Sequence, residues 1–363
     1  MACRAQEFSS NRWQWQLSHR IHTVDGLERY VRLTDDERIG IKAAGSRFRW
    51  AVTPYFASLM DPEDPDCPIR RQAIPSAAEL EAGLDVAGLG DPLAEDSHSP
   101  VRGLVHKYPD RVIILATMQC AVFCRHCTRR RVVGQVDRVM TSKQFDACVD
   151  YIQGHEEVRD VLVTGGDPLL GSDAWLEGIL SKLRVIPHVD ILRVGTRVPV
   201  TLPQRVTQDL CDMLERYHPL WMNIHFNHAR EITPEVAQAC DRLTRAGIPL
   251  GSQTVLLRGV NDDRQTLLDL FHALVRIRVR PYYLYQCDIV RGTSHFWTPV
   301  ERGVELVSSL RGYTTGFSVP TFVVDSPLGK VHVAPQNLLA REGSEIVLRG
   351  YTGETCRMYN PTS

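Results

Sequence analysis

The chain has 363 residues, 43% of them hydrophobic and 23% charged, which is the composition of a globular protein with a sizeable core. Its 42 Lys and Arg residues balance 43 Asp and Glu residues to a net charge of −1, so there is no basic field for nucleic acid and we predict no nucleic-acid partner. No run of 18 apolar residues is present and the N-terminal stretch has no apolar leader core, so we predict no membrane span and expect a cytoplasmic protein.

Residues 1–107 are predicted to form a helical N-terminal extension interrupted by proline-rich breaks. Helical patterns occur at 11–21 and 33–48, and a third begins behind Ser76 as its N-cap and continues to about residue 84.

From about residue 110 the pattern alternates regularly. Apolar, β-branched runs are separated by amphipathic helical windows; the runs cover 111–118, 158–166, 190–196, 221–227, 249–257, 281–287 and 319–325. Such continuous apolar strands indicate a parallel sheet covered by helices. We therefore predict an α/β fold, a partial or full (β/α) barrel over 108–329, followed by a loop with Lys330 and a short C-terminal tail (330–363). In this fold chemistry is expected at the C-terminal strand ends.

Ten cysteines without a leader sequence suggest metal ligands or buried thiols rather than disulfides. Three of them, Cys120, Cys124 and Cys127, follow the first strand with the spacing C-x3-C-x2-C. Three thiolates in a compact loop can bind three irons of a [4Fe–4S] cluster and leave the fourth iron open. A structural zinc site is the alternative, but it needs a fourth ligand that His126, between two of the cysteines, could not easily supply.

This loop is also the signature of the radical S-adenosylmethionine enzymes, and its surroundings resemble the lysine 2,3-aminomutase family. The matching stretches are CAVFCRHCTRRRVVGQ, YPDRV, VTGGDPLL, TRVPVTLPQR, HFNH, LLRGVND, YYLYQCD and VPTFVVD, and the resemblance spans about residues 12 to 352. The resemblance implies a (β/α) barrel of the radical S-adenosylmethionine type. It also implies that S-adenosylmethionine binds to the open iron and that pyridoxal 5′-phosphate is a second cofactor. It also implies an external electron donor of the flavodoxin or ferredoxin type and a homo-oligomer.

The resemblance implies that one lysine binds pyridoxal phosphate covalently. Only five lysines occur, and Lys330 alone follows a strand end in a small-residue loop, DSPLGK. The family match further places the phosphate near Lys107, Tyr108 and Arg111, and Gln253 near the cofactor. The family usually has arginine at position 107, where lysine still supplies a point charge.

The remaining site residues are predicted in two groups. Small residues after a strand let the chain approach a ligand closely, and the family match assigns Gly165, Gly166 and Asp167 to the methionine part of S-adenosylmethionine, with His225 as a further cofactor contact. For the substrate, the match pairs Arg129 with the α-carboxylate and the carboxylates of Asp288 and Asp325 with a distal cation, since two neighbouring buried carboxylates need a cation between them.

The sequence departs from the family at two places, which bear on the predicted substrate and on zinc binding. The C-terminal zinc cysteines are expected to be absent, because Cys356 stands alone and Asp263 occupies a position where the family has cysteine. The loop before Lys330 is about two residues shorter than is usual in the family. We therefore predict a 2,3-aminomutase for a cationic amino acid, with lysine the default and arginine an open alternative, serving secondary metabolism such as antibiotic biosynthesis. A translation-factor-associated lysine aminomutase and a non-enzymatic iron or zinc protein are the remaining alternatives.

Overall fold

The structure is a computed structural model that describes residues 12–80, 90–133, 137–326, 329–334, 338–342, 345–349, 353 and 355–359. Within these ranges no helix is long and apolar enough to cross a bilayer.

The main sheet has nine strands that lie in chain order. They are β1 (Leu104–Tyr108), β2 (Arg111–Thr117), β3 (Asp160–Gly165), β4 (Ile191–Thr196), β5 (Leu220–His225), β6 (Leu250–Leu256), β7 (Val279–Gln286), β8 (Thr321–Ser326) and β9 (Gly329–His332). Strands β2 to β8 are parallel, while β1 and β9 are antiparallel to their neighbours. The two edge strands approach each other, because the Lys330 N–H donates to the Tyr108 hydroxyl at 2.7 Å. The sheet is thus a nearly closed barrel, which confirms the predicted fold class.

Helices connect the successive parallel strands. They are α6 (Ser142–Gln153), α7 (Asp173–Arg184), α8 (Val198–Thr201), α9 (Gln208–Glu215), α10 (Pro234–Arg245), α11 (Arg264–Arg276) and α12 (Val300–Leu310). Five of the longer ones begin behind a Ser, Thr or Asp whose side chain accepts a backbone N–H of the first turn, the N-caps being Thr141, Ser172, Thr207, Thr233 and Asp263. Asp263, where the family resemblance led us to expect cysteine, therefore caps α11.

The N-terminal extension contains α1 (Trp13–Ser18), α2 (Val24–Leu27), α3 (Asp35–Arg47), α4 (Pro54–Ser58) and α5 (Pro68–Arg71). The helix expected from Ser76 is only a 3-10 turn over Ala77–Leu80, and residues 81–84 lie outside the described ranges. Extension residues such as Leu27 and Phe56 belong to the same apolar core as barrel residues such as Ile114 and Val163.

The C-terminal part adds a small antiparallel sheet of β10 (Leu338–Glu342), β11 (Glu345–Arg349) and β12 (Thr355–Tyr359). The two boundaries predicted from the sequence, after residues 107 and 329, fall inside β1 and inside β9. Both strands belong to the nine-stranded sheet, because each pairs with a neighbouring barrel strand.

Candidate active site

The barrel encloses a cavity of about 460 Å³. All fifteen residues singled out from the sequence line it: Lys107, Tyr108, Arg111, Cys120, Cys124, Cys127, Arg129, Gly165, Gly166, Asp167, His225, Gln253, Asp288, Asp325 and Lys330. Segments that are up to 223 positions apart therefore meet in one place (330 − 107). A concave site with convergent polar groups is the usual form of an active site.

Three thiols lie at the end of the cavity beyond β2. Cys120, Cys124 and Cys127 are all free, and burial raises the pKa of Cys127 to about 11 and that of Cys120 above its usual value. The described residues include no three side chains arranged as ligands of a single metal ion. A [4Fe–4S] cluster spreads its ligands over separate irons, so three thiols of one loop around one cavity fit a cluster.

Arg197 contacts this loop directly. Its Nη1 donates to the Cys124 Sγ at 2.7 Å, and its Nη2 donates to Gln72 at 2.6 Å and to Glu231 at 2.8 Å. The guanidinium is 9% exposed and the Glu231 side chain is fully buried. Arg197 therefore places a buried positive charge against a cysteine that is predicted to hold the cluster.

The Gly-Gly-Asp segment after β3 supports the start of the cysteine loop. The Gly166 N–H donates to the Thr117 carbonyl at 2.5 Å, and the Asp167 N–H donates to that of Gln119 at 2.7 Å. A Cβ on Gly166 would lie 2.2 Å from the Gln119 oxygen, and Gly165 has φ +126°. Glycine is needed at both positions, because one is sterically closed and the other lies in a region that side chains avoid.

Asp167 uses both carboxylate oxygens within the protein. Oδ1 accepts from the Thr196 hydroxyl and the Leu169 N–H, and Oδ2 accepts from the N–H groups of Arg197 and Val198. Burial raises its pKa to about 6, against these four donors. Asp167 thus joins the loops after β3 and β4, and this arrangement supports a positioning role rather than direct contact with a ligand.

His225 belongs to a buried polar group next to the cysteine loop. Its Nε2 lies 3.0 Å from Asn227 Oδ1, and its ring stacks on His126 with centroids 5.3 Å apart. Burial, together with the Arg197 charge, lowers the pKa of His225 to about 3, so the ring is neutral at physiological pH. Because Asn227 Oδ1 can only accept, Nε2 carries the proton and donates it there, which leaves Nδ1 of the neutral ring as a hydrogen-bond acceptor.

Lys330 lies on β9 opposite Asp325. The Lys330 ammonium is 3.0 and 3.1 Å from the two Asp325 oxygens and 5.3 Å from the centre of the Tyr285 ring. Lys107 donates to the Leu93 carbonyl at 3.0 Å, and burial lowers its pKa. The Lys330 side chain thus lines the cavity while 32% of it is exposed. Residues 327–328 of its loop lie outside the described ranges.

Asp288 follows β7 and accepts from the Thr128 hydroxyl at 2.5 Å. Burial raises the pKa of Asp288 to about 6, and the nearby Asp325 charge also raises it, whereas Thr128 opposes the shift. Two neighbouring carboxylates form a site that a cation stabilises.

Arg129 follows Thr128 and is held by Glu95 of the N-terminal extension. The Arg129 Nε and Nη2 donate to Glu95 at 2.7 to 3.1 Å, and both side chains line the cavity. Glu95 is 5% exposed and follows Ala94, which has the rare positive φ of 53°. One edge of the guanidinium is therefore fixed by the protein.

Not every predicted residue lies at a C-terminal strand end. Arg111 is the first residue of β2 and stacks on Tyr108 at 4.0 Å, while Gln253 lies in the middle of β6 and donates to Tyr285 at 3.4 Å. The expectation that the site residues gather at the strand ends was therefore wrong for these residues. The cavity extends along the interior of the barrel, because polar side chains occupy positions that a packed core would fill.

Four further residues of the site were not predicted from the sequence: Glu95, Thr128, Arg197 and Tyr285. Each contacts a predicted site residue through the tertiary structure. The motifs DPLAED, CRHCTRR, TRVPV and YYLYQCD contain them, but a motif alone does not show which of its residues face the cavity.

A parallel barrel whose first parallel strand leads into a loop of three cysteines defines a radical S-adenosylmethionine enzyme, and residues 114–271 match the Radical SAM superfamily. Residues 307–363 match the family described as Lysine-2,3-aminomutase. The L-lysine 2,3-aminomutase of Clostridium subterminale is 52% identical over 94% of this chain and 82% of that protein, and the enzyme of that name from Bacillus subtilis (strain 168) is 48% identical over 94% and 73%. A glutamate 2,3-aminomutase from Clostridioides difficile (strain 630) is 47% identical over 96% and 82%. The chain belongs to the lysine 2,3-aminomutase family, which confirms the resemblance and makes it an isomerase; the family implies S-adenosylmethionine and a [4Fe–4S] cluster.

Proposed function

We propose that this enzyme is an L-lysine 2,3-aminomutase, which moves the α-amino group of lysine to the β-carbon. When bound, S-adenosylmethionine and the cluster supply a hydrogen-abstracting radical, and pyridoxal phosphate carries the migrating nitrogen. Cys120, Cys124 and Cys127 would hold the cluster, and Lys330 would bind pyridoxal phosphate.

The observation that carries the proposal is the position of the Lys330 ammonium against Asp325. A primary alkylammonium already lies 3.0 Å from this carboxylate, and Asp288 is near enough that the Asp325 charge raises the pKa of Asp288. When Lys330 is engaged elsewhere, both carboxylates are available to the distal ammonium of a lysine substrate. Glutamate would bring a third carboxylate to the same place, which like-charge repulsion disfavours.

Arg129 supports an α-amino acid as substrate. Its Glu95-bound edge is fixed, and a guanidinium has further N–H donors that can bind a carboxylate. Arg129, Asp288 and Lys330 line one cavity, so cationic and anionic ends of a substrate could both be recognised around the reacting lysine.

Lys107, Tyr108 and Arg111 fit a phosphate group. They place an ammonium, a hydroxyl and a guanidinium on the same cavity wall as Lys330, and Tyr108 is bonded to the Lys330 backbone. Two cations and a donor hydroxyl are the groups that bind a phosphate dianion. Lys330 as the covalent anchor and these three as phosphate contacts are therefore parts of the proposal.

Two further parts of the proposal concern the cellular compartment and the biological role. The eight cysteines whose side chains the structure describes are free thiols, which supports a reducing, cytoplasmic compartment. A role in secondary metabolism, such as antibiotic biosynthesis, and a homo-oligomeric state remain inferences from the sequence.

The test is product analysis with three substrates. The anaerobically reconstituted enzyme is incubated separately with L-lysine, L-arginine and L-glutamate, and β-amino products are quantified by mass spectrometry. We expect β-lysine as the main product. Turnover of arginine without lysine would replace the proposal by an arginine 2,3-aminomutase, because a guanidinium also fits two carboxylates.

A Lys330→Ala variant tests the site. It should lose the 2,3-shift with every amino acid while keeping the iron content and the iron–sulfur absorbance, and Lys143→Ala on α6 is the matched control. Normal turnover by Lys330→Ala would contradict the assignment of Lys330.

A further inference from the structure

A second depression, of about 520 Å³, lies where the N-terminal extension covers the cysteine loop, residues 120–127. It is formed by the end of α1, the end of α3 and the segments that follow them, and it shares no lining residue with the central cavity. We call it the arginine depression.

Its charge is positive. Arg20, Arg47 and Arg49 line it together with His22, and none of its described lining residues is a carboxylate. Arg47, Arg49 and His22 are exposed, and Arg49 pairs at its rim with Asp137 at 2.8 Å. The central cavity also contains arginines, but there they share the lining with carboxylates such as Asp288 and Asp325.

The floor of the arginine depression is the outer side of the cysteine loop. Arg20 Nη1 donates to the Cys120 carbonyl at 2.6 Å, and the Ala51 carbonyl accepts the Phe123 N–H at 3.1 Å. The Phe123 ring lies 5.9 Å from the Arg20 guanidinium and 5.1 Å from that of Arg49. The main chain of a predicted cluster ligand thus separates the central cavity from an exposed positive surface.

We propose that the arginine depression is the docking site of a small acidic one-electron carrier protein that reduces the cluster. A radical S-adenosylmethionine enzyme receives one electron from outside, and electron transfer needs the two redox centres to approach closely. In this step the carrier is oxidised by one electron and the cluster is reduced by one electron, with no bond formed or broken. The inference rests on the radical chemistry of the family and not on which amino acid is the substrate.

Charge complementarity favours an acidic carrier protein as the molecule that docks in the arginine depression. A carrier with carboxylates around its redox centre would be attracted and oriented by the three arginines. A second copy of this chain, docked through a two-fold contact at the same face, would place arginines against arginines. An electron carrier must dock close to the cluster, and the arginine depression lies against the cysteine loop. A site for a small free anion would not need this position.

The experiment compares two routes of reduction. The reconstituted enzyme is mixed anaerobically with flavodoxin hydroquinone or with dithionite, and cluster reduction is followed by EPR after rapid freezing. The test variant is Arg47→Glu/Arg49→Glu. The matched control is Arg276→Glu/Arg280→Glu, which makes the same change of charge at the end of α11 and the start of β7, where both arginines are exposed.

We expect the test variant to be reduced by flavodoxin at least about tenfold more slowly at low ionic strength, the size of effect that electrostatic steering provides. Its dithionite rate, and the flavodoxin rate of the control variant, should be unchanged. Arg47→Lys/Arg49→Lys should keep most of the flavodoxin rate, and wild-type binding of oxidised flavodoxin should weaken with salt.

Three results would overturn the proposal. An unchanged rate of reduction by flavodoxin in the test variant would rule out the docking site. An equal loss of this rate in the control variant would show an effect of net charge alone. A parallel loss with dithionite would mean that the arginines support the cysteine loop instead. If reduction behaves as expected but no β-lysine forms, the proposed substrate fails and the docking site stands.

Discussion

At the scale of single residues, the orientation of Arg129 depends on Glu95, 34 positions earlier in the chain. Glu95 is almost fully buried and occupies one edge of the guanidinium, which leaves the other donors to face the cavity. Ala94, directly before Glu95, has a positive φ, and backbone strain of this kind is typical of functional sites. We interpret Glu95 as a positioning residue that acts through Arg129.

Glu95→Ala should therefore raise the KM for the amino acid by at least about tenfold, since truncating one partner of a buried charge pair is costly. The effect on kcat should be smaller, and S-adenosylmethionine binding, measured by calorimetry, should not change. Asp96→Asn is the control, because Asp96 pairs with Arg131 on the surface with 75% of its side chain exposed. Equal kinetic effects of the two substitutions would show that the loop acts only structurally.

The pair of Thr128 and Asp288 predicts a pH dependence. Burial raises the pKa of Asp288 to about 6, so this carboxylate is ionised, and able to bind a cation, only above that pH. The kcat/KM for lysine should accordingly fall about tenfold per pH unit below the pKa. Thr128 donates to the charged form, so Thr128→Val should raise the pKa and move the acid limb to higher pH. Thr244→Val on α10 should leave the limb in place, and an unmoved limb in Thr128→Val would assign the titration to another group.

At the scale of elements, the turn after β3 couples two loops of the site. Gly166 is bonded to the strand that leads into the cysteine loop, and there is no space for a Cβ beside the Gln119 carbonyl. Gly166→Ala should destabilise the protein by about 1–3 kcal/mol, as overpacking does, and lower the iron content per chain.

Gly178→Ala is the matched control for this turn. Gly178 lies on α7 with open space around it, and alanine there should stabilise the helix by about 0.5–1 kcal/mol. Thermal unfolding and iron analysis measure both effects, and a Gly166→Ala protein with full iron content would argue against the coupling of the two loops.

The elements themselves were largely predictable, because parallel strands are continuous apolar runs and their helices carry caps. The runs at 158–166 and 281–287, for example, agree with β3 and β7 to within two residues at each end. Contacts between distant segments were not predictable in this way. Glu95 with Arg129, and Arg197 with Cys124, 73 positions apart, depend on how the loops fold over the barrel, and no local pattern records that.

At the scale of the whole molecule, the N-terminal extension and the barrel share one apolar core and one buried ionic group. Glu79 of the extension accepts from Arg125 at 2.5 Å and from Arg130 at 2.6 Å, and its own side chain is fully buried. Burial opposes the charge, yet the two guanidinium groups hold the pKa of Glu79 below its usual value. Because both arginines flank cysteines that are predicted to hold the cluster, the extension and the cysteine loop should gain or lose order together.

Glu79→Ala tests this connection, since it leaves two guanidinium groups buried without their carboxylate. Loss of one partner from a buried ion pair costs about 3–5 kcal/mol, so chemical denaturation should show a fall of that order in the free energy of unfolding. The iron bound per chain should fall as well, because the cysteine loop loses its support from the extension. Asp146→Ala breaks the ion pair with Lys182, in which both side chains are 51% exposed, and should cost no more than about 1 kcal/mol. If Glu79→Ala lost stability but kept the full iron content, the extension would stabilise the barrel without ordering the cysteine loop.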